Sequence, residues 1–266
     1  GSFLKLPINY SVITNIDNEH LDYYKNFKNL KQAFVKFINK TPPIGKAIIC
    51  WDDLNLRKIL KTIKIKNYLS YGLHPNCNYQ IFNQKFSSEF STFDLKIKNR
   101  EFKKTIIKRF NLNLLGEHNI LNATAAIAIC LNLGIKINVI KAALKNFSGV
   151  QRRLTKIFVK NHRDFYDDYA HHPTEIQSVL KGLKQVYKKR KLISVFQPHR
   201  YSRIKQLKKQ FASSFILSDV VLLCPIYAAG EKKDNSYDSN NFAKLIANQS
   251  KVQVINIKNE LDLDRY

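Results

Sequence analysis

The chain has 266 residues, 44% of them hydrophobic and 12% aromatic, enough for about two domains with proper cores and too apolar for a disordered chain. Lys and Arg outnumber Asp and Glu by 45 to 20, a formal net charge of +25. The excess is spread along nearly every segment without a dense basic arm, and Asn and Ile are abundant too, so it reads as a coding bias and a solvated basic surface that draws in nucleotide-like anions, with no nucleic-acid partner expected.

In chain order, residues 10–16 read as a buried strand running into the polar cluster Asn15-Ile16-Asp17-Asn18-Glu19-His20-Leu21-Asp22. A helix is expected over 29–39, with Leu30, Phe34, Phe37 and Ile38 on one face, then a Pro-Pro-x-Gly turn and a strand over 47–51. Asp52-Asp53 precede a short helix over 54–63, and 68–72 reads as another strand. From 79 to 115 the alternation of Phe93, Leu95 and Ile97, and the run from Phe102 to Phe110, predict antiparallel strands. Helices follow over 117–133, rich in Ala and stopped by Gly134, and over 138–147. Ser148-Gly149 marks the expected domain boundary, dividing 1–149 from 150–266. Beyond it, helices over 173–187, 203–215 and 240–248 alternate with strands over 192–196, 220–223 and 252–257, the pattern of a doubly wound parallel sheet.

The four cysteines are far apart, with no metal-type spacing; Cys50, Cys130 and Cys224 sit in apolar runs and read as reduced core residues of a cytoplasmic protein. No apolar stretch approaches the roughly 18 residues that span a bilayer.

Chemistry concentrates at junctions that follow strands. Asp167-Asp168-Tyr169-Ala170-His171-His172-Pro173-Thr174-Glu175 packs three carboxylates, two imidazoles and a phenol in front of a helix whose N-terminal N–H groups attract anions. Gln197-Pro198-His199-Arg200-Tyr201-Ser202-Arg203 is a second such junction; Arg200 and Arg203, at helical spacing, can grip a carboxylate or phosphate together. Both entering strands are expected in one sheet, so that the two loops share its carboxyl edge. His20, between Glu19 and Asp22, is either a metal ligand or part of a polar loop. Asn119 and Asn122, three apart at a helix start, can read adenine or serve as cap and solvated neighbour. Arg152-Arg153 is either a surface pair or, if extended, presents one guanidinium to phosphate. No G-x-x-x-x-G-K-[ST] phosphate loop is present.

Four stretches, in order, resemble the Mur ligase family: Thr14-Asn15-Ile16-x-x-x-His20-x-Asp22, Gly116-x-His118-Asn119-x-x-Asn122-Ala123, Gly149-x-x-Arg152-Arg153 with Asp167 to Glu175, and Phe196 to Arg203. The last two together resemble the members that join L-alanine to the carboxylate of UDP-N-acetylmuramate. The resemblance implies an α/β fold: the later part of a central ATP-binding domain, then a Rossmann-like amino-acid-binding domain. It implies ATP and Mg²⁺ as cofactors, His20 as metal ligand, Asn119 and Asn122 at the adenine, Arg153 at the phosphates and Asp168 at the ribose. Tyr169, His171, Arg200 and Arg203 would surround L-alanine and the acyl group.

The family's sugar-nucleotide domain and phosphate loop have no counterpart in these 266 residues, nor has its last stretch, so the chain alone is expected to lack ligase activity and to need the N-terminal part of the same enzyme. The alternatives are a murein-peptide-recycling ligase, which the Gln-Pro-His-Arg-Tyr run speaks against, and a basic nucleic-acid-binding protein, which requires steeply salt-dependent binding.

Overall fold

The computed structural model describes residues 2–99 and 103–266, so the expected strand start at Phe102 lies outside the described residues. The chain divides into two compact units, one ending at Ser148 and the other beginning at Gly149.

The first unit is built on a six-stranded sheet in sequence order. Its strands are β1 (Ser11–Ile13), β2 (Ala47–Cys50), β3 (Tyr68–Gly72), β4 (Tyr79–Phe86), β5 (Ser91–Asn99) and β6 (Lys103–Leu112). β1 to β4 run parallel and β4 to β6 antiparallel, so the change of sequence character near residue 79 marks a change of strand direction. β2 is buried at every position, as a parallel strand covered on both faces must be. On β5 the alternation holds: Phe93, Leu95 and Ile97 all face the core, and Phe93 stacks on Phe110 of β6 at 5.3 Å.

The register slips once on each side of β5, and Asp94 holds both slips: one oxygen accepts from Asn83 Nδ2 (2.9 Å) and the other from the Arg109 N–H (2.8 Å). Asn83 and Arg109 are both left-handed, the conformation a bulge residue needs.

Helices α1 (Leu21–Tyr24), α2 (Phe27–Asn39), α3 (Leu54–Leu60), α4 (Glu117–Asn132) and α5 (Ile137–Asn146) complete this unit. α2 begins two residues before its expected start because Asn26 caps it, accepting from the Asn29 N–H at 2.9 Å. Asp53 does the same for α3 at the Leu56 N–H (2.7 Å), a contribution of about 1 kcal/mol. β1 is shorter than expected, and α1 was not foreseen. α4 buries Ile120, Ala123, Ile127, Ala128 and Leu131; its small alanines permit the close approach to β2 and β3. Cys50, Cys77 and Cys224 are buried and Cys130 only half-buried, a correction to the expected core set; all four are free thiols.

The second unit opens with a hairpin, β7 (Thr155–Lys160) and β8 (Arg163–Asp167), turned by the left-handed pair Asn161-His162. Then come α6 (Pro173–Val186), β9 (Ile193–Phe196), α7 (Tyr201–Ala212), β10 (Val220–Leu223), α8 (Ser239–Ser250) and β11 (Gln253–Asn256). β9, β10 and β11 form a parallel three-stranded sheet in the order β11-β10-β9, the alternating α/β pattern expected of a Rossmann-like domain. Phe196, Phe211 and Phe215 make its aromatic core, with centroids 5.7 Å and 5.1 Å from Phe196.

One expectation is corrected. The strand entering the Asp167–Glu175 loop is not a member of the parallel sheet; among the described residues β8 pairs with β7 in a separate two-stranded sheet. The tight turn satisfies β8 from its own neighbour.

Candidate functional site

In the second unit the two polar junctions meet although their strands belong to different sheets. The His171 and His199 rings lie 6.0 Å apart; Tyr169 stands 4.9 Å from His171 on one side and Tyr227 lies 5.4 Å from His199 on the other. Four rings thus form a row with Arg203 beside it.

The hairpin side of the row is fixed by two carboxylates. Asp168 accepts from the Leu154 N–H at 2.6 Å and from the Ala170 N–H at 2.7 Å. Burial pushes its carboxyl above the usual carboxylate range, with these bonds and the Arg153 charge opposing. Glu175 sits in the first turn of α6 and accepts from the backbone of His171 (3.0 Å) and His172 (3.2 Å), closing a capping box around Pro173 at the first helical position. Its other oxygen lies 3.4 Å from Arg153 Nη1.

Arg152 and Arg153 do not lie in an extended segment. Arg152 and Leu154 are left-handed and the Arg153 N–H returns to the Val150 carbonyl at 3.2 Å, so the expected opposite-facing pair is replaced by a turn. The Arg152 guanidinium covers the Tyr169 ring at 4.7 Å, and Arg153 goes to Glu175. Tyr169 remains 43% exposed.

His171 Nδ1 lies 2.8 Å from the Tyr169 carbonyl. A carbonyl only accepts, so Nδ1 carries a hydrogen, and in the neutral form of the ring Nε2 keeps a lone pair. His199 has the opposite arrangement: Arg203 Nη1 donates to its Nδ1 at 3.1 Å, so Nε2 carries the hydrogen. Burial, then the charges of Arg203, His171 and Arg200, hold the His199 imidazole below its ordinary value. The row therefore pairs a ring whose Nε2 is an acceptor when the ring is neutral with a ring whose Nε2 carries the hydrogen.

α7 starts at Tyr201, not 203, because Arg200 serves as its N-cap residue in a left-handed conformation (φ 68°) with no side-chain cap. The loop after β10 supports it: the Arg200 N–H donates to the Tyr227 carbonyl (2.9 Å), the Tyr227 N–H to the Pro198 carbonyl (2.8 Å), and Glu231 accepts from the Ser202 N–H (3.0 Å) and hydroxyl. His199 was quoted in the motif without a role, and Tyr227 and Glu231 were missed. The signal that finds them is their place after the carboxyl ends of β9 and β10, strands of the parallel sheet.

In the first unit, Asn119 donates one amide hydrogen to the Leu115 carbonyl at 2.8 Å, while Asn122 is exposed on the same helix. His20 is exposed and left-handed, and its carbonyl starts α1 by accepting from Tyr23 and Tyr24. The Asp22 side chain lies outside the described residues. Among the described residues no group of three His, Cys, Asp or Glu converges as a metal site, at His20 or elsewhere. No helix of the described residues is long and apolar enough to cross a membrane.

Known proteins match both units. The Mur ligase middle domain family matches residues 2–130, and the Mur ligase glutamate ligase domain family residues 152–262. A UDP-N-acetylmuramate–L-alanine ligase of Pelagibacter ubique is 50% identical over 266 residues, all of this chain and 57% of its own length. The ligase of that name from Brucella anthropi is 40% identical over 231 residues, 87% of this chain and 49% of its own. The crystal structure of the UDP-N-acetylmuramate–alanine ligase MurC from Thermotoga maritima superposes with a TM-score of 0.73 at 25% identity, covering 99% of this chain and 54% of that one. This chain thus spans about half the length of the curated relatives it matches. With the two domain matches in the order of the two units and identity carried from end to end, the chain belongs to the Mur ligase family.

Proposed function

We propose that the chain is part of an ATP-dependent amide ligase that joins L-alanine to the carboxylate of UDP-N-acetylmuramate through an acyl phosphate, in the cytoplasmic synthesis of peptidoglycan precursors. The observation that carries the reading is the row of His171, His199 and Arg203 in the second unit, in a chain 50% identical throughout to a ligase of that name. The muramate carboxylate oxygen takes the γ-phosphoryl group and ADP leaves; the alanine amine then attacks the acyl carbon, phosphate departs, and the nitrogen gives up a proton. Arg200 and Arg203 offset the carboxylate charge, and the open Nε2 of His171 is the proposed acceptor of the proton. Tyr169 borders the amino acid, and Asp168 and Arg153 serve ribose and phosphate. In the first unit, Asn119 and Asn122 are the proposed adenine readers. Mg²⁺ enters on the family resemblance alone, with His20 as the ligand this chain would offer, and no step above is routed through it.

Residues 1–149 would be the later part of the central ATP-binding domain and 150–266 the amino-acid-binding domain. Because the 266 residues hold no phosphate loop, the chain on its own is proposed to be inactive. The test is ADP release dependent on both L-alanine and UDP-N-acetylmuramate, assayed for the full-length protein and for this chain. Release by the first and none by the second is the expected result. A full-length protein that prefers a tripeptide to L-alanine, or ignores both, overturns the reading.

A further inference from the structure

We propose that Glu231 is a positioning residue: its carboxylate, folded back onto the first turn of α7, fixes the backbone from Arg200 to Ser202 and so sets where Arg200 and Arg203 stand for the substrates. The proposal rests on the reading that these arginines meet the acyl and amino-acid groups.

α7 lacks a cap of its own. The residue at its cap position is Arg200, left-handed and without a side-chain hydrogen bond to the helix. The first N–H groups of a helix have no partner within it, so a distant group must satisfy them. Glu231 does so. One oxygen accepts from the Ser202 N–H at 3.0 Å and the other from the Ser202 hydroxyl, while the Tyr201 N–H also faces the carboxylate. A negative charge at this end of a helix also complements the helix dipole.

The chain spends conformational strain to bring Glu231 there. Ala229 (φ 52°) and Gly230 (φ 84°) are consecutive left-handed residues, and the Glu231 N–H closes the turn on the Ala228 carbonyl at 3.1 Å. Four residues earlier the same loop grips the other side of Arg200, through Tyr227 and its bonds to Pro198 and Arg200. Arg200 is therefore held from both flanks by one loop. Arg203 lies in that same first turn, where it fixes the tautomer of His199. Against the cost of partial burial, the Ser202 hydroxyl and amide, with the Arg200 charge, keep the Glu231 carboxyl below its usual range, so the grip persists through mildly acidic solution.

The experiment compares Glu231→Ala, Glu231→Gln and Arg203→Ala in the full-length protein for KM of L-alanine and for kcat, and follows the Ser202 amide by NMR through acid pH in the 266-residue chain. Glu231→Ala is expected to raise KM about tenfold while kcat falls less than about threefold, and Glu231→Gln, which keeps an acceptor oxygen, to recover most of the loss. The Ser202 amide should report a carboxyl titrating below the ordinary range, and that titration should vanish in Glu231→Gln. Unchanged KM in Glu231→Ala beside a raised KM in Arg203→Ala overturns the proposal and spares the reading of the arginines. Unchanged KM in Arg203→Ala overturns that reading and the proposal with it. A Ser202 amide whose acid titration survives in Glu231→Gln also overturns the proposal.

Discussion

Asp168→Ala separates what a carboxylate does for substrate from what it does for the fold. Both Asp168 oxygens already serve backbone, the Leu154 N–H at 2.6 Å and the Ala170 N–H at 2.7 Å. Leu154 is 8% exposed, so its amide loses its acceptor in a place water reaches poorly, at a cost of about 1–3 kcal/mol. Ala170 is half-buried, so its N–H reaches water more readily than that of Leu154, adding about 0.5–1 kcal/mol. Burial opposes the ionised form of Asp168, which trims what the charge adds to these bonds, so the sum stays near 3 kcal/mol. For a unit of roughly 120 residues that is a fall of about 12 °C in Tm. The assay is thermal unfolding of the chain by circular dichroism, with hydrogen exchange at the Leu154 amide to assign the loss. Asp167→Ala is the control, since its 3.7 Å pair with Arg152 is exposed and worth under about 0.5 kcal/mol. An Asp168→Ala chain that melts within about 3 °C of the parent, with Leu154 exchange unchanged, would refute the reasoning.

Phe211→Ala removes a fully buried ring from the Phe196 and Phe215 cluster and should cost about 3–5 kcal/mol in chemical denaturation of the second unit; a loss under about 1 kcal/mol would mean the core can collapse around the gap. His199 is held below its ordinary value by burial, then by Arg203, His171 and Arg200, against the opposing charge of Glu231. The folded state thus resists protonation more than the unfolded chain: the His199 share of stability is full above the ordinary imidazole value of about 6.5 and is lost as pH falls through the depressed folded value. NMR titration of the ring should show the low value, with Arg203→Ala moving it upward; a ring that titrates above the ordinary value contradicts the Arg203–His199 bond.

Local signals carried most of the elements. The strands over 68–72 and 220–223 match β3 and β10 residue for residue, because each is a short apolar run between turns, and Pro173 marks the start of α6 through the N–H it lacks. What escaped was decided by residues distant in sequence. The start of α7 could not be read from 201–203 because its cap, Glu231, comes from another loop. Nor could the bulges at Asn83 and Arg109, which depend on Asp94 standing between them. The membership of β8 was misread because Asn161-His162 lacks the glycine that usually announces a two-residue hairpin turn. Sequence spacing did single out both loops that supply His171 and His199, but by an argument from one shared sheet edge that the fold does not obey.

That separate hairpin has a consequence for how the second unit opens. Ile157 and Val159 of β7 are 55% and 58% exposed, and a two-stranded ribbon with so little apolar cover is marginal by itself. Among the described residues it is tied to the rest of the unit by Arg190, which pairs with Asp164 and donates to the His162 carbonyl, and by the Tyr166–Tyr187 hydroxyl pair, while Asp168 closes its base at Leu154. The ribbon is therefore the segment whose amides should exchange by local unfolding while the β9–β11 sheet stays closed. Since Tyr169 and His171 hang from the ribbon, and His199 and Arg203 from the sheet and α7, such an opening would pull the row of rings apart without melting the domain, making the assembled row a state with a lower free energy of opening than the core beneath it.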